Sequence, residues 1–178
     1  MPTSSNGYVV LDKDTTGSLP RLRNWVVPST SRRLLVREAS CGFLLVHLAV
    51  WFDQSIEKID VGGVDDWGWS PRKISGTDRW SNHASGTAID LNATKHPMGS
   101  STRKTFSSVE VNKIHQRLKF YDECIRWGGD YSTRPDAMHF ELNRNLAAVV
   151  KRAQALTDSP RGRSICEKNP GVKALIHS

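Results

Sequence analysis

Two short segments, far apart in the chain, constrain its fold most strongly, because together they carry the side chains of a metal site. The first, Ser-Asn-His-Ala-Ser-Gly-Thr-Ala-Ile-Asp, contains His83 and Asp90, and the second, Asp-Ala-Met-His-Phe-Glu, contains His139. Two imidazoles and one carboxylate leave a fourth tetrahedral position for water, as in catalytic rather than structural zinc sites. We therefore predict a fold that brings both segments to one cleft.

The second segment also carries a spare carboxylate, Asp136, three residues before its histidine. A carboxylate beside the metal is where the general base for a bound water is needed. On a regular strand this side chain would point away from the histidine, so a turn at Arg134-Pro135 must bring Asp136 round. A single histidine is usually an ordinary polar residue, but the two complementary segments together indicate a metal-dependent hydrolase.

Alternation of polar and apolar residues predicts that both segments contain strands. In the first, Asp90 faces the cleft while its neighbours anchor the strand, and Gly86 allows the bend that returns His83 towards it. In the second, His139 and Glu141 face the cleft. Glu141 would orient His139 or contact substrate, although a solvated carboxylate is the simpler interpretation.

Helices are predicted on either side of these strands in the sequence. Residues 42–59 are apolar nearly all round in their first half, which favours a buried helix. Residues 107–110 have the spacing of a capping box that opens a second helix, and residues 145–156 predict a last long one. Pro160 and Gly162 are expected to break the chain before a short basic tail.

The length and composition of the chain suit one domain with a hydrophobic core. It has 178 residues, of which 38% are hydrophobic, and it shows no repeat, low-complexity tract or long linker. We therefore predict a single α+β domain over residues 1–178, with residues 1–5 and 164–178 as flexible ends.

Neither a membrane span nor a disulfide framework is predicted. The longest apolar run, Cys41 to Phe52, is well short of the roughly 20 residues that cross a bilayer. The first residues lack the charged and apolar regions of a signal peptide, so we expect synthesis as a soluble cytoplasmic chain. Three widely spaced cysteines, Cys41, Cys124 and Cys166, favour reduced structural thiols.

The net charge of +7 is expected to draw the protein to polyanions. The basic residues are scattered, and no interleaving of basic and aromatic residues indicates a specific nucleic-acid site. Attraction to an anionic cell wall explains the charge, and a merely soluble surface explains it equally well. We expect the chain to be a monomer.

The two segments resemble the zinc D-alanyl-D-alanine carboxypeptidase and L-alanyl-D-glutamate endopeptidase family, which includes many bacteriophage endolysins. The resemblance rests on the pattern S-x-H-x-x-G-x-A-x-D followed by D-x-x-H. Further similar pieces are Trp69–Arg72 and Arg126–Tyr131, and the likeness extends from about Asn6 to about Arg163. It implies a small antiparallel sheet that carries a zinc site and is packed by helices, as in Hedgehog-like and DD-peptidase folds.

The same resemblance implies roles for individual residues. One zinc ion per chain would be bound by His83, Asp90 and His139, with Asp136 as general base and Arg72 stabilising the transition state. Many members of the family have Glu in place of Asp136, which sets the carboxylate about one methylene further from the chain.

Ser81 would bind a substrate carboxylate or carbonyl, or hold the turn before His83. The roles of Glu141, His96 and the three cysteines stay open.

The function implied by the resemblance is cleavage of the peptide stem of peptidoglycan, most directly by an L-alanyl-D-glutamate endopeptidase acting as a phage endolysin. Such an enzyme would reach the cell wall after release from the host cytoplasm. The alternatives are a D-Ala-D-Ala carboxypeptidase, a non-catalytic zinc-binding module, and a glycosidase that uses Asp136 and Glu141 as its carboxylate pair. The G-x-S-x-G, H-E-x-x-H and G-x-x-x-x-G-K signatures of other enzyme classes are missing from the sequence.

Overall fold

The computed structural model describes residues 1–13 and 20–178 as an α+β fold, as the sequence predicts. The predicted single domain of residues 1–178 also includes residues 14–19, which lie outside the described residues. The strands are β1 (Leu22–Val26), β2 (Arg33–Arg37), β3 (Ala88–Asp90), β4 (Ile125–Trp127) and β5 (His139–Leu142). The helices are α1 (Ala39–Ser55), α2 (Thr102–Thr105), α3 (Ser108–Phe120), α4 (Leu146–Leu156), α5 (Pro160–Lys168) and α6 (Val172–His177).

The helix predicted from the apolar run, α1, is buried along nearly its whole length and lies at the centre of the core. It ends before Ile59 because the Asp53 carboxylate accepts the Ile59 N–H at 3.1 Å and turns the chain out of the helix. Gly42 lies so close to Trp25 that a Cβ there would stand 2.4 Å from the indole Nε1. Within the described ranges, neither α1 nor any other helix combines the length and the apolar character that a membrane span requires.

Two small antiparallel sheets flank α1 in the sequence. β1 pairs with β2, and β5 lies between β3 and β4 in the second sheet. The register of this second sheet sets Asp90 opposite His139 and Ala88 opposite Glu141. The alternation in the sequence therefore predicts the cleft-facing side of β5 correctly, with Phe140 on the other face inside the core.

The C-terminal part of the chain differs from the prediction of a break followed by a flexible end. Pro160 occupies the first turn of α5, where a missing N–H costs nothing, and the Ser159 side chain caps this helix by accepting the Gly162 N–H at 3.0 Å. Ile165 of α5 and Val172 of α6 are fully buried in the core. The apolar contact with the rest of the core holds residues 164–178 in place as helices.

Candidate metal centre

Three side chains meet at one buried point, as the sequence predicts. His139 Nδ1 lies 2.9 Å from Asp90 Oδ1 and 3.1 Å from His83 Nε2, and His83 Nε2 lies 3.2 Å from Asp90 Oδ1. All three residues are at most 7% exposed. No other group of three His, Cys, Asp or Glu residues with such a spacing occurs in the described part of the chain.

Local structure explains how distant residues reach this point. The register of β3 and β5 sets Asp90 directly opposite His139. His83 lies on a short 3₁₀ turn whose first N–H groups are capped by Ser81 Oγ, which accepts the His83 N–H at 3.3 Å. The turn ends at Gly86 with a left-handed φ of 65°, so the chain doubles back from His83 into β3.

Each of the three side chains has a second partner that fixes its orientation. His83 Nδ1 donates to the Gly68 carbonyl at 2.5 Å, which leaves Nε2 as the acceptor that faces the centre. Asp90 accepts the Trp67 indole N–H at 2.9 Å through Oδ2, so Oδ1 is the oxygen that faces the centre. Outer partners of this kind hold ligand side chains in the geometry that a metal needs.

Glu141 is the outer partner of His139, and the interpretation of Glu141 as a solvated carboxylate is wrong. Its side chain is buried, and Oε2 accepts a hydrogen bond from His139 Nε2 at 3.0 Å and another from Asn82. Oε1 accepts the Tyr131 hydroxyl at 2.8 Å and also the Arg126 guanidinium. Donors from two other segments, Asn82 in one and Arg126 and Tyr131 in the other, thus hold the carboxylate against the ring of His139.

The electrostatic environment of the centre favours a cation. Burial opposes the charged form of His139, but hydrogen bonds to Asp90 and Glu141 outweigh it and raise the pKa of His139 to about 10. Burial would also raise the pKa of Asp90, yet the two histidines lower it well below its usual range. The pKa of Glu141 likewise falls to about 2, because contact with His139 outweighs burial. Two carboxylates therefore stabilise positive charge at this point.

The donor set and its spacing fit a zinc ion. Bonds of about 2.0–2.1 Å in a tetrahedron set neighbouring ligand atoms about 3.3 Å apart. The three donor atoms already lie within 3.2 Å of one another, so small movements would admit the ion. His83, Asp90 and His139 are therefore the residues that could hold a metal.

Asp136 lies beside the centre, on the turn that the sequence predicts. The turn is fixed by a 2.8 Å hydrogen bond from the Asp136 N–H to the Gly128 carbonyl and a 3.1 Å hydrogen bond from the His139 N–H to the Asp136 carbonyl. A Cβ on Gly128 would stand 2.5 Å from the Asp136 carbonyl oxygen, so only glycine allows this approach. This requirement was not predicted from the sequence, although Gly128 follows a short strand, where a glycine often marks a close backbone approach.

The Asp136 carboxylate is available for chemistry. It is 7% exposed, and its Oδ1 has no hydrogen-bond partner among the described residues. Burial raises the pKa of Asp136, and the charge of Asp90 adds to this effect while His139, His83 and Arg72 oppose it. A buried carboxylate with a raised pKa and a free oxygen is suited to accept a proton.

A cleft of about 580 Å³ gives access to these residues. Its walls include the predicted site residues Ser81 and Arg72, but Arg72 lies on the exposed rim rather than in a water-poor interior. The cleft residues that were given no role include Arg79, Arg126, Tyr131 and Arg134. Arginines of this kind carry no local sequence signal, because only the fold brings their segments together.

The other candidate residues lie elsewhere. His96 is buried against Phe106 and pairs with Glu57 at 3.0 Å, so its role is structural. The cysteines are free thiols, and burial raises the pKa of each of them, which disfavours a thiolate nucleophile. These residues are Cys41, Cys124 and Cys166.

Comparison with known proteins agrees with this geometry. A family model described as D-alanyl-D-alanine carboxypeptidase matches residues 75–142, which include both histidines of the centre, Asp90 and Asp136 but not Arg72. Comparisons with curated proteins and with solved structures gave no significant match. The family match confirms the resemblance found in the sequence, and residues 75–142, which carry the candidate metal centre, are similar to the D-alanyl-D-alanine carboxypeptidase family.

Proposed function

We propose that this chain is a zinc-dependent peptidase that cleaves the L-alanyl-D-glutamate bond in the peptide stems of bacterial peptidoglycan, as a phage endolysin. The observation that carries the proposal is the meeting of a three-ligand centre and a buried, unpartnered carboxylate in one open cleft. One zinc ion per chain, held by His83, Asp90 and His139, would supply Lewis-acid activation of a peptide carbonyl and of a water molecule.

Asp136 is the residue proposed to move the proton. Its free Oδ1 faces no donor among the described residues, so it can accept a proton from the attacking water and deliver it to the leaving amine. The raised pKa of Asp136 favours this exchange, because a carboxylate that is too acidic is a weak base. The turn at Gly128 holds the carboxylate in place without a side-chain hydrogen bond that would compete.

The arginines of the cleft are proposed to bind the anionic stem peptide. Arg72, Arg79 and Arg134 line the cleft, and none of them forms an ion pair within the described residues. A stem peptide carries free carboxylates, which guanidinium groups bind well. Among these arginines, Arg72 is proposed to face the oxyanion that develops on the scissile carbonyl, where a bound substrate would cover its exposed position.

A D-Ala-D-Ala carboxypeptidase is the second candidate, and the match of residues 75–142 to the D-alanyl-D-alanine carboxypeptidase family favours it. Both reactions release an amine next to a free carboxylate, so the arginines serve either substrate. The reactions differ in their products, since the carboxypeptidase frees D-alanine whereas the endopeptidase exposes the amine of D-glutamate.

The observed contacts support a peptidase over the remaining alternatives. A glycosidase would need both Asp136 and Glu141 as working carboxylates, but both oxygens of Glu141 are occupied by hydrogen bonds. A non-catalytic zinc module has no need for a buried carboxylate without a partner beside the metal. The net charge of +7 supports attraction to an anionic cell wall, which the enzyme would reach after release from the host cytoplasm.

Mass spectrometry of digested peptidoglycan tests the proposal. Digestion with the zinc-loaded protein should expose new amino groups on D-glutamate and leave the glycan strands whole, and the Asp136→Asn variant should be the inactive control. Release of free D-alanine alone would replace the endopeptidase with the carboxypeptidase. New reducing ends, or no product with fully zinc-loaded protein, would contradict a peptidase.

A further inference from the structure

Residues 3–8 lie against the segments that carry the metal ligands, although the proposed reaction gives them no role. Among them, Asn6 is half-buried and uses every polar group of its side chain. Its Nδ2 donates to Thr87 Oγ1 at 2.9 Å and to the Leu142 carbonyl at 3.0 Å. Its Oδ1 accepts the Ser4 hydroxyl at 2.7 Å. These bonds fix Asn6 against two segments that are distant from it in the sequence.

The contacts of Asn6 connect the three segments that supply the metal ligands. Thr87 directly precedes β3, the strand that carries the aspartate ligand. Leu142 is the last residue of β5, the strand that carries one of the histidine ligands. The backbone N–H of Asn6 donates to Asn82 Oδ1 at 2.9 Å, and Asn82 lies on the 3₁₀ turn of His83. One residue outside the centre is therefore bonded to all three segments.

The bond from the Asn6 N–H determines which way the Asn82 amide faces. Asn82 is 4% exposed, and its two amide atoms meet groups of opposite kind, the Asn6 N–H and the Glu141 carboxylate. Only one orientation of the amide places its oxygen on the N–H and its Nδ2 donor on the carboxylate. In the reversed orientation an acceptor would face Glu141 and a donor would face Asn6, so both hydrogen bonds would be lost.

The carboxylate that Asn82 contacts is the outer partner of a metal ligand. Asn82 Nδ2 and His139 Nε2 both donate to Glu141 Oε2, the histidine at 3.0 Å. A continuous series of hydrogen bonds thus leads from the Asn6 backbone through Asn82 and Glu141 to the ring of His139. Because outer partners hold a ligand histidine in its orientation, displacement of the Asn82 amide would change the geometry of the metal centre.

We propose that Asn6 is a positioning residue of the metal centre, which acts on His139 through Asn82 and Glu141. The side-chain bonds of Asn6 to the two strands hold its backbone N–H at the place where the Asn82 amide needs a donor. The inference rests on the metal ligands of the proposed function, but it does not depend on which peptide bond the enzyme cleaves.

Competition with a chromophoric chelator, combined with urea unfolding of the same proteins, tests the proposal. Asn6→Ala should weaken zinc binding about three- to ten-fold, less than the roughly 10- to 100-fold effect of removing a direct outer partner. Asn169→Ala is the matched control, because Asn169 also has three side-chain hydrogen bonds, but they go to Val26 and Ile165 and join β1 to α5. Both variants should unfold at lower urea concentration than the parent, but Asn169→Ala should keep the parent's zinc affinity.

A double-mutant cycle tests the route of the effect. Asn82→Ala lacks the amide, so the further change Asn6→Ala should leave the zinc affinity within about two-fold of that of the Asn82→Ala protein. Asn6→Ser is a milder variant, and it should shift the affinity in the same direction as Asn6→Ala.

Either of two results would overturn the inference. One is the parent's zinc affinity in both Asn6→Ala and Asn6→Ser, and the other is an additive effect of the changes at Asn6 and Asn82. A parent that binds zinc but releases no product from peptidoglycan would contradict the proposed function, whereas the zinc affinities of the variants decide this inference. A parent that binds no zinc would contradict both.

Discussion

Asp90 and His139 face each other across β3 and β5, with Asp90 Oδ1 2.9 Å from His139 Nδ1. Backbone pairing of β3 with β5, rather than a contact of either side chain, sets the two residues opposite each other. Each side chain has a further hydrogen bond: Asp90 accepts the Trp67 indole N–H, and His139 Nε2 donates to Glu141. The centre is therefore preorganised, and its parts can be tested one at a time.

Replacement of any ligand should remove the metal. We expect one zinc ion per chain in the parent and loss of most of it in His83→Ala, Asp90→Ala and His139→Ala, because each variant removes one of three protein ligands. Metal analysis of purified proteins would measure this. His115→Ala is the control, since this histidine pairs with Asp130 at the surface, away from the centre. Full zinc occupancy in His139→Ala would show that the ligand assignment is wrong.

Replacement of Asp136 should separate catalysis from metal binding. In Asp136→Asn the amide leaves the three ligands untouched, so zinc should stay bound while kcat falls roughly 100-fold or more through loss of the base. The change in KM should be much smaller, because the interaction matters in the transition state. Asp136→Glu keeps the carboxylate and should retain substantial activity. A zinc-loaded Asp136→Asn enzyme with the parent rate would exclude Asp136 from the mechanism.

Replacement of Glu141 should weaken the centre without removing a ligand. Glu141→Gln loses the negative charge that accepts the His139 N–H, and loss of such an outer partner typically lowers metal affinity about 10- to 100-fold. Competition with a chromophoric chelator would measure the dissociation constant. Arg126→Gln, which removes another partner of the same carboxylate, should have a smaller effect. Equal affinities of Glu141→Gln and the parent would contradict this role.

The buried His47 should make the protein less stable in mild acid. Its folded pKa of about 3 lies below the ordinary value of 6.5, so the unfolded chain binds the proton more readily. Its stabilising contribution is complete above pH 6.5 and falls as the pH drops towards 3, by about 2 kcal/mol between pH 6.5 and 5. The groups around it are the Tyr121 hydroxyl and the guanidinium groups of Arg117, Arg152 and Arg161.

Urea unfolding of the parent and of His47→Gln at several pH values would measure this contribution. The difference in unfolding free energy between the two proteins should shrink as the pH falls from 7 to 5, because only the parent has the titrating ring. A difference that stays constant with pH would show that His47 does not titrate as expected.

The parts of the fold that could be predicted are those with local signals. The apolar run of α1, the capping box of Ser107 and Glu110, and the alternation in β5 each depend on neighbouring residues, and each occurs as predicted. Pro160 shows the limit of a local signal, since a proline marks both a break and a helix start. The Ser159 cap before it was the sign that a helix begins there.

The partners of Glu141 could not be predicted, because Asn82 and the segment that carries Arg126 and Tyr131 are separate from β5 in the sequence. Only the three-dimensional arrangement shows that a carboxylate on a cleft-facing strand is enclosed by donors. The sequence indicated which side of the strand Glu141 occupies, but not whether water or protein would surround it there.

Because β5 lies between β3 and β4, the ability of the chain to bind zinc depends on the native pairing of this strand. This strand supplies one ligand, His139, the outer partner of that ligand, Glu141, and a core residue, Phe140, on alternate faces. A slip of one residue in its pairing would exchange the faces and lose all three contributions together. Misfolded chains with a shifted strand would therefore have no zinc site. The zinc content of a preparation, measured with excess metal removed, would then report the fraction of molecules that have reached the native pairing.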